Sequence, residues 1–148
     1  MSEESTRVQA DTLADITAFD AVAVNEAACE IELKHLDGTT GTGVFVSVIG
    51  RHSDAVTKWR NKIINQRARD EHMAERRGKA APPKTMEELF EQNLDGAVLI
   101  VTGWRNVKQP FDREVLRQAL KRNPHWMDQI YDASNDLERA RRVWVRLT

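Results

Sequence analysis

The densest apolar patterning of the chain lies in residues 99–131, which read LIVTGWRNVKQPFDREVLRQALKRNPHWMDQIY. An apolar run ends on Trp104, and a polar turn follows it. Asp112 is a favourable helix N-cap, and apolar residues recur behind it at helical spacing. Asn123-Pro124 ends that helix, because proline lacks an N–H and restricts the residue before it. A third amphipathic segment follows at once, so the stretch predicts a compact helical unit.

Upstream of this unit the sequence predicts two strands. Residues 29–35, CEIELKH, alternate apolar and charged side chains, which is typical of a half-buried strand. Asp37-Gly38 is a turn signal, and residues 44–49, VFVSVI, have the composition of a returning strand. Residues 19–28 show no decisive period, and we expect them to be extended or a loop. Because two strands are marginal alone, the hairpin should pack on the helices.

Two helices are predicted between the hairpin and the polar turn. The first, capped by Ser53, should run from Asp54 to about Arg77, with an apolar stripe that fades in its second half. That half should project into solvent or against a partner. The second begins after Thr85 and is expected to continue, straight or kinked, to Trp104, although its last apolar residues also fit a buried strand.

These patterns divide the chain into four regions. An acidic arm at 1–18 is expected to be disordered, and a β-hairpin region spans 19–52. A long charged helix and its linker occupy 53–80, and a helical unit with a basic tail occupies 81–148. The predicted fold class is therefore α+β: an N-terminal β-hairpin or small antiparallel sheet, a long basic helix and a C-terminal helical unit.

The composition is that of one soluble domain. The chain has 148 residues, of which 30% are charged and 41% hydrophobic, with a net charge of −1. Cys29 is the only cysteine, so no internal disulfide forms. No secretory h-region and no apolar run near the roughly 20 residues of a membrane helix is present. We expect a soluble intracellular protein that has no membrane partner.

No residues form a recognisable catalytic, cofactor-binding or metal-binding set, so the sequence predicts a protein that is not an enzyme. The four histidines lack the spacing of zinc ligands: His35, His52, His72 and His125. Cys29 falls on the apolar face of a predicted strand, where an inert thiol is the usual case. The helix-cap position of Ser53 accounts for that hydroxyl.

Bases on the long helix form a candidate contact face for phosphates: Lys58, Lys62, Arg67 and Arg69. A charged helix face is more often simply solvated, and three acids interrupt the basic run. A nucleic-acid-binding adaptor that uses residues 58–77 is therefore a disfavoured alternative.

Four motifs follow one another between about Ala28 and Leu137. A strand–turn–strand leads through residues 50–54, GRHSD, into a long helix that contains NQRARD at 65–70. A Gly-Trp turn follows at 103–104, then a helix start, PFDREVL, at 110–116, and finally NPHW at 123–126. In this order the motifs resemble those of tail assembly chaperones from long-tailed, siphovirus-like bacteriophages, and the resemblance covers roughly Ala28 to Leu137. The chain departs from the family pattern in its Arg-rich ending, which we regard as a candidate form-specific tail.

The resemblance implies a chaperone that binds and solubilises the tape measure protein and helps to recruit tail tube subunits. Such a protein acts in the host cytoplasm and is absent from the mature virion; self-association is left open. Holding a helical client needs apolar grooves between helices. The surface expected to do so comprises Trp104, Val107, Phe111, Leu116, Leu120, Trp126 and Ile130. A structural protein of the virion tail or its connector is the alternative.

Overall fold

The computed structural model describes residues 13–137 and has the predicted α+β architecture. The strands are β1 (Cys29–Lys34), β2 (Gly41–Val48) and β3 (Val101–Arg105). The helices are α1 (Ala21–Glu26), α2 (Asp54–Arg76), α3 (Met86–Ile100), α4 (Arg113–Arg122) and α5 (Pro124–Asn135), and a 3₁₀ turn spans Ile16–Ala18. Most of the acidic arm at 1–18 and the basic end of the chain therefore lie outside the described residues.

The strands form one antiparallel sheet in the order β1-β2-β3. Ile31 pairs with Val46, which in turn pairs with Trp104, so these side chains share the face that packs on the helices. The hairpin is confirmed, although β2 begins at Gly41, earlier than expected. Arg105 on the opposite face reaches across the sheet to Glu30, with its Nη2 2.7 Å from the carboxylate.

The expected helix through Trp104 is wrong. It ends at Ile100, and the next five residues form β3 along the free edge of β2. The β-branched pair Val101-Thr102 favours extended backbone, and the pairing satisfies the amide groups of an otherwise open edge. A strand from region 81–148 thus completes the sheet begun in region 19–52.

The expectation of loop or extended chain at 19–28 is also wrong, because α1 forms there. The Asp20 carboxylate caps it by accepting from the Ala23 N–H at 2.9 Å. Asn25 is 7% exposed, and its Oδ1 accepts from the His52 N–H while its carbonyl accepts from the Gly50 N–H. Since these bonds reach the turn before α2, long-range contacts fix a helix too short for periodicity to reveal.

The other helix boundaries agree with the sequence. Thr85 accepts from the Glu88 N–H, and Asp112 accepts from the N–H groups of Glu114 and Val115. The break at Asn123-Pro124 separates α4 from α5, with proline in the first turn of α5. Ser53 does precede α2, but its hydroxyl is buried and makes no cap hydrogen bond.

One core joins the sheet to α3, α4 and α5. Its least exposed side chains come from every one of these elements: Leu33, Val46, Val48, Leu94, Ala97, Val101, Leu120 and Ile130. Helix α2 contributes a single buried residue, Val56, near its first turn. The second half of α2 lies at the edge of the domain, as its fading apolar stripe predicts. In the first half only Val56 is buried, and Ile64 of the predicted stripe is 57% exposed. None of the helices within the described range is long and apolar enough to cross a lipid bilayer.

Candidate functional site

An open groove of about 740 Å³ runs between α2 and α3. We call it the α2–α3 groove; twelve side chains line it: Trp59, Lys62, Ile63, Gln66, Arg67, Asp70, Lys84, Glu87, Glu88, Glu91, Gln92 and Asp95. Its apolar floor is Trp59 and Ile63, and an adjoining hollow adds Pro83 and Leu89. Because charged side chains surround a short apolar floor, the groove suits a chain segment better than a small apolar molecule.

A glycine sets how closely α2 and α3 approach at one end of the groove. Gly96 is buried in α3, and a Cβ built on it would lie 2.2 Å from the Tyr131 hydroxyl and 2.5 Å from the Trp59 ring. The Tyr131 hydroxyl donates to the Asn93 carbonyl at 2.6 Å. Trp59 therefore rests where a side chain at 96 would be, and α5 supports the contact from the other side.

Polar contacts of the linker close the other end. The Arg67 guanidinium donates to the Pro82 carbonyl at 3.1 Å and pairs with Glu71 at 3.0 Å. Lys84 donates to the side-chain amide oxygen of Gln92 on α3. These bonds hold residues 82–84 against both helices, so the groove has a defined end as well as two walls.

The groove carries an excess of negative charge, with five carboxylates against three cations in its lining. Arg117 of α4 pairs with Glu91 and Asp95 from behind, and Lys121 lies 3.6 Å from Glu91. Within the described part of the chain, neither Glu87 nor Glu88 makes an ion pair. The outer part of the α3 wall thus presents two exposed carboxylates to whatever enters the groove.

The structure separates the predicted partner-binding residues into core and surface. Leu116, Leu120 and Ile130 are at most 2% exposed, so they are core side chains and not part of an accessible surface. They lie on the apolar faces of their amphipathic helices, which pack against the sheet and α3. Apolar residues that stabilise a core and those that bind a partner have the same sequence signature, which is why the pattern placed them together.

The other four members of that set are half-buried and lie at two places. Trp104 packs edge-on against Phe111 with ring centroids 5.1 Å apart, and its Nε1 donates to the Gln109 carbonyl. Val107 lies on the turn between them. Trp126 is across the sheet, where its Nε1 donates to the Lys34 carbonyl at 2.9 Å. The two tryptophans contact opposite edges of the sheet and do not form a single surface.

The predicted basic face is divided in a similar way. Lys62 and Arg67 line the α2–α3 groove, whereas Lys58 and Arg69 are exposed outside its lining. The groove cations face the carboxylates of α3, an arrangement that opposes binding of a polyphosphate chain there.

Among residues 13–137, no group of three or more His, Cys, Asp or Glu side chains is placed to hold a metal ion. Cys29 is half-buried on β1, with its Sγ 3.9 Å from the Glu30 carbonyl oxygen.

Tyr131 makes the α2–α3 junction sensitive to alkaline pH. Burial of the ring, and then the charge of Asp95, raise the pKa of Tyr131 from its ordinary value of about 10 to about 12. The unfolded chain loses this proton near pH 10 and the folded chain only near pH 12. We therefore expect this group to leave the free energy of unfolding unchanged below pH 10 and to lower it as pH rises from 10 to 12.

Denaturant unfolding at a series of alkaline pH values measures this effect. Tyr131 is the only tyrosine of the chain, so the ultraviolet absorbance of tyrosinate follows its ionisation directly. Tyr131→Phe should flatten the decline above pH 10. An equally steep decline in the variant would show that another group is responsible.

No family model matches the sequence, no curated protein matches it, and no solved structure matches the fold.

Proposed function

We propose that the protein is a bacteriophage tail assembly chaperone, a non-enzymatic binding module that holds a helical segment of the tape measure protein. In this proposal it keeps that client soluble in the host cytoplasm, helps to recruit tail tube subunits and is absent from the mature virion. The observation that carries the proposal is the α2–α3 groove, which has an apolar floor and walls of unlike charge. The motif resemblance of residues 28–137 supplies the identity of the client.

The apolar floor and charged walls of the groove suit an amphipathic helix. The apolar stripe of such a helix would cover Trp59 and Ile63 and remove both from water. Basic residues beside the stripe would face Glu87 and Glu88, and acidic residues on its other side would face Lys62. Opposed walls of unlike charge fix the direction and rotation of the client, because a reversed helix would place like charges together.

The short apolar floor also suits a temporary complex. Two aromatic or aliphatic side chains and a charged rim give a small interface, and small interfaces belong to weak, transient complexes. An assembly chaperone has to release its client when tube subunits polymerise around it. An extended apolar contact would oppose that release, and the floor of the groove offers the client only Trp59 and Ile63.

A matched pair of isoleucines tests the proposal. Ile63 lines the groove, whereas its neighbour Ile64 is 57% exposed and outside the lining. The tape measure candidate for this test is the product of the longest helical open reading frame beside this gene, and co-expression with the wild-type chain should give a soluble complex. We expect Ile63→Ser to abolish co-purification and Ile64→Ser to retain it, because only Ile63 would contact the client.

Thermal unfolding of both variants separates lost binding from lost folding. Retention of the complex by Ile63→Ser, in a chain that folds like the wild type, would place the client elsewhere. Analysis of purified particles distinguishes the alternative of a structural tail or connector protein, since the chaperone proposal expects the chain to be missing from them.

A further inference from the structure

We propose that the basic C-terminal segment, residues 139–147, docks in the α2–α3 groove of its own chain. This inference goes beyond the proposed function and does not depend on it, because it concerns two parts of one chain. Three observations carry it: where α5 ends, how far the following residues can reach, and the charge of the groove.

The described chain ends beside the helix that forms one wall of the groove. Leu137 is 1% exposed and anchors the last described position in the core. Just before it, the Ser134 hydroxyl donates to the Ile49 carbonyl at 2.8 Å, and the Ser134 carbonyl accepts from the Arg51 N–H. Since residues 49–51 lead directly into α2, the segment that follows Leu137 starts next to the first turn of that helix.

Its length is sufficient to reach along the groove. Eleven residues follow Leu137, and a chain of that length spans at most about 36–40 Å. From the start of α2, Trp59 is less than two helical turns away, and the groove continues to Asp70 over about 17 Å. The segment can therefore cover the whole groove without rearrangement of the fold.

The charge and composition of the segment complement the groove. Residues 138–148 contain four arginines and one glutamate, and the groove lining has five carboxylates against three cations. Glu87 and Glu88 make no ion pair with the described residues, so they are available to those arginines. Residues 143–145, Val-Trp-Val, supply apolar side chains for the floor. The acidic N-terminal residues have the opposite charge and fit this wall poorly.

Disulfide trapping in the full-length chain tests this docking. Cys29 is the only native cysteine, so Cys29→Ser provides a background without thiols. Gln66→Cys places one thiol in the groove, and Val145→Cys places the other in the basic segment. The control pair replaces Gln66→Cys with Ala68→Cys, an exposed position on the same helix outside the groove. Mild oxidation is followed by non-reducing electrophoresis and mass spectrometry.

We expect an internal disulfide to form at least about tenfold faster with the groove pair than with the control pair, because docking raises the local concentration of the two thiols. Glu87→Gln with Glu88→Gln should slow the groove reaction, as should high salt, which screens the ion pairs. Equal rates for the two pairs would overturn the proposal. Dimers crosslinked between chains as the main product would also overturn it and would assign the groove to the segment of a second copy.

Discussion

Leu120→Ala is expected to lower the free energy of unfolding by about 2–5 kcal/mol. Leu120 is fully buried on α4 and belongs to the core that joins the helices to the sheet. The substitution removes buried apolar surface and leaves a cavity that close-packed neighbours fill only in part. Urea unfolding of the purified variant measures the loss, and a value of this size would confirm that Leu120 stabilises the fold and is not a contact surface.

Val115→Ala is the matched control on the same helix. Val115 is 40% exposed, so its truncation should change the free energy of unfolding by no more than about 0.5 kcal/mol. If Leu120→Ala had an equally small effect, α4 would not pack as the structure describes, and the assignment of Leu116 to the core would fail with it.

Gly96→Ala is expected to loosen α2 from α3 and to weaken client binding. The new Cβ would fall within 3 Å of both Trp59 and the Tyr131 hydroxyl, so one or both rings must move. Overpacking of this kind costs about 1–3 kcal/mol, while the higher helix propensity of alanine returns at most about 1 kcal/mol. The balance is a loss of stability of up to about 3 kcal/mol, accompanied by faster amide exchange along α2 and a change in tryptophan emission.

Gly103→Ala controls for the general effect of removing a glycine. A Cβ at Gly103 meets nothing within 4 Å, so the substitution should be neutral or slightly stabilising. Comparable destabilisation of both variants would mean that the contact of Trp59 and Tyr131 with Gly96 does not set the spacing of α2 and α3.

Local sequence signals were sufficient for much of the fold. The alternation in residues 29–35 located β1, and turn chemistry at Asp37-Gly38 located the hairpin. Cap residues and the Asn123-Pro124 break placed four helix ends within one or two residues. Each of these signals acts over a few positions, so no knowledge of distant contacts is needed to interpret it.

The two wrong predictions of secondary structure, at residues 19–28 and 101–104, fall where distant contacts determine the local conformation. Residues 97–104 satisfy a helical spacing and a strand composition equally well, and the free edge of β2 decides between them. Helix α1 has only six residues, and its hydrogen bonds to the turn before α2 stabilise it. Neither the pairing of residues 101–105 with β2 nor the contact of α1 with the turn before α2 is identifiable from the local sequence alone.

The candidate site was only partly predictable for a related reason. The fading stripe of α2 predicts that only its second half is open to solvent or a partner, whereas the groove floor, Trp59 and Ile63, lies in the first half. Lys62 and Arg67 are predicted only as candidate phosphate contacts. The opposite wall was missed, because Glu87 and Glu88 have the pattern of first-turn acids that stabilise a helix dipole. Gly96 interrupts an apolar run, and that interruption was the one sequence signal of the close helix approach that shapes the groove.

The most direct test of the α2–α3 groove as the client site is a backbone amide NMR titration. The labelled full-length chain would be titrated with an amphipathic helical peptide of the tape measure candidate. We expect the largest shifts at the groove, around Trp59, Ile63 and residues 84–92, with little change near Trp104 and Phe111. Shifts concentrated at Trp104 and Phe111, with the groove unperturbed, would contradict the account and return the client site to the surface favoured by sequence alone.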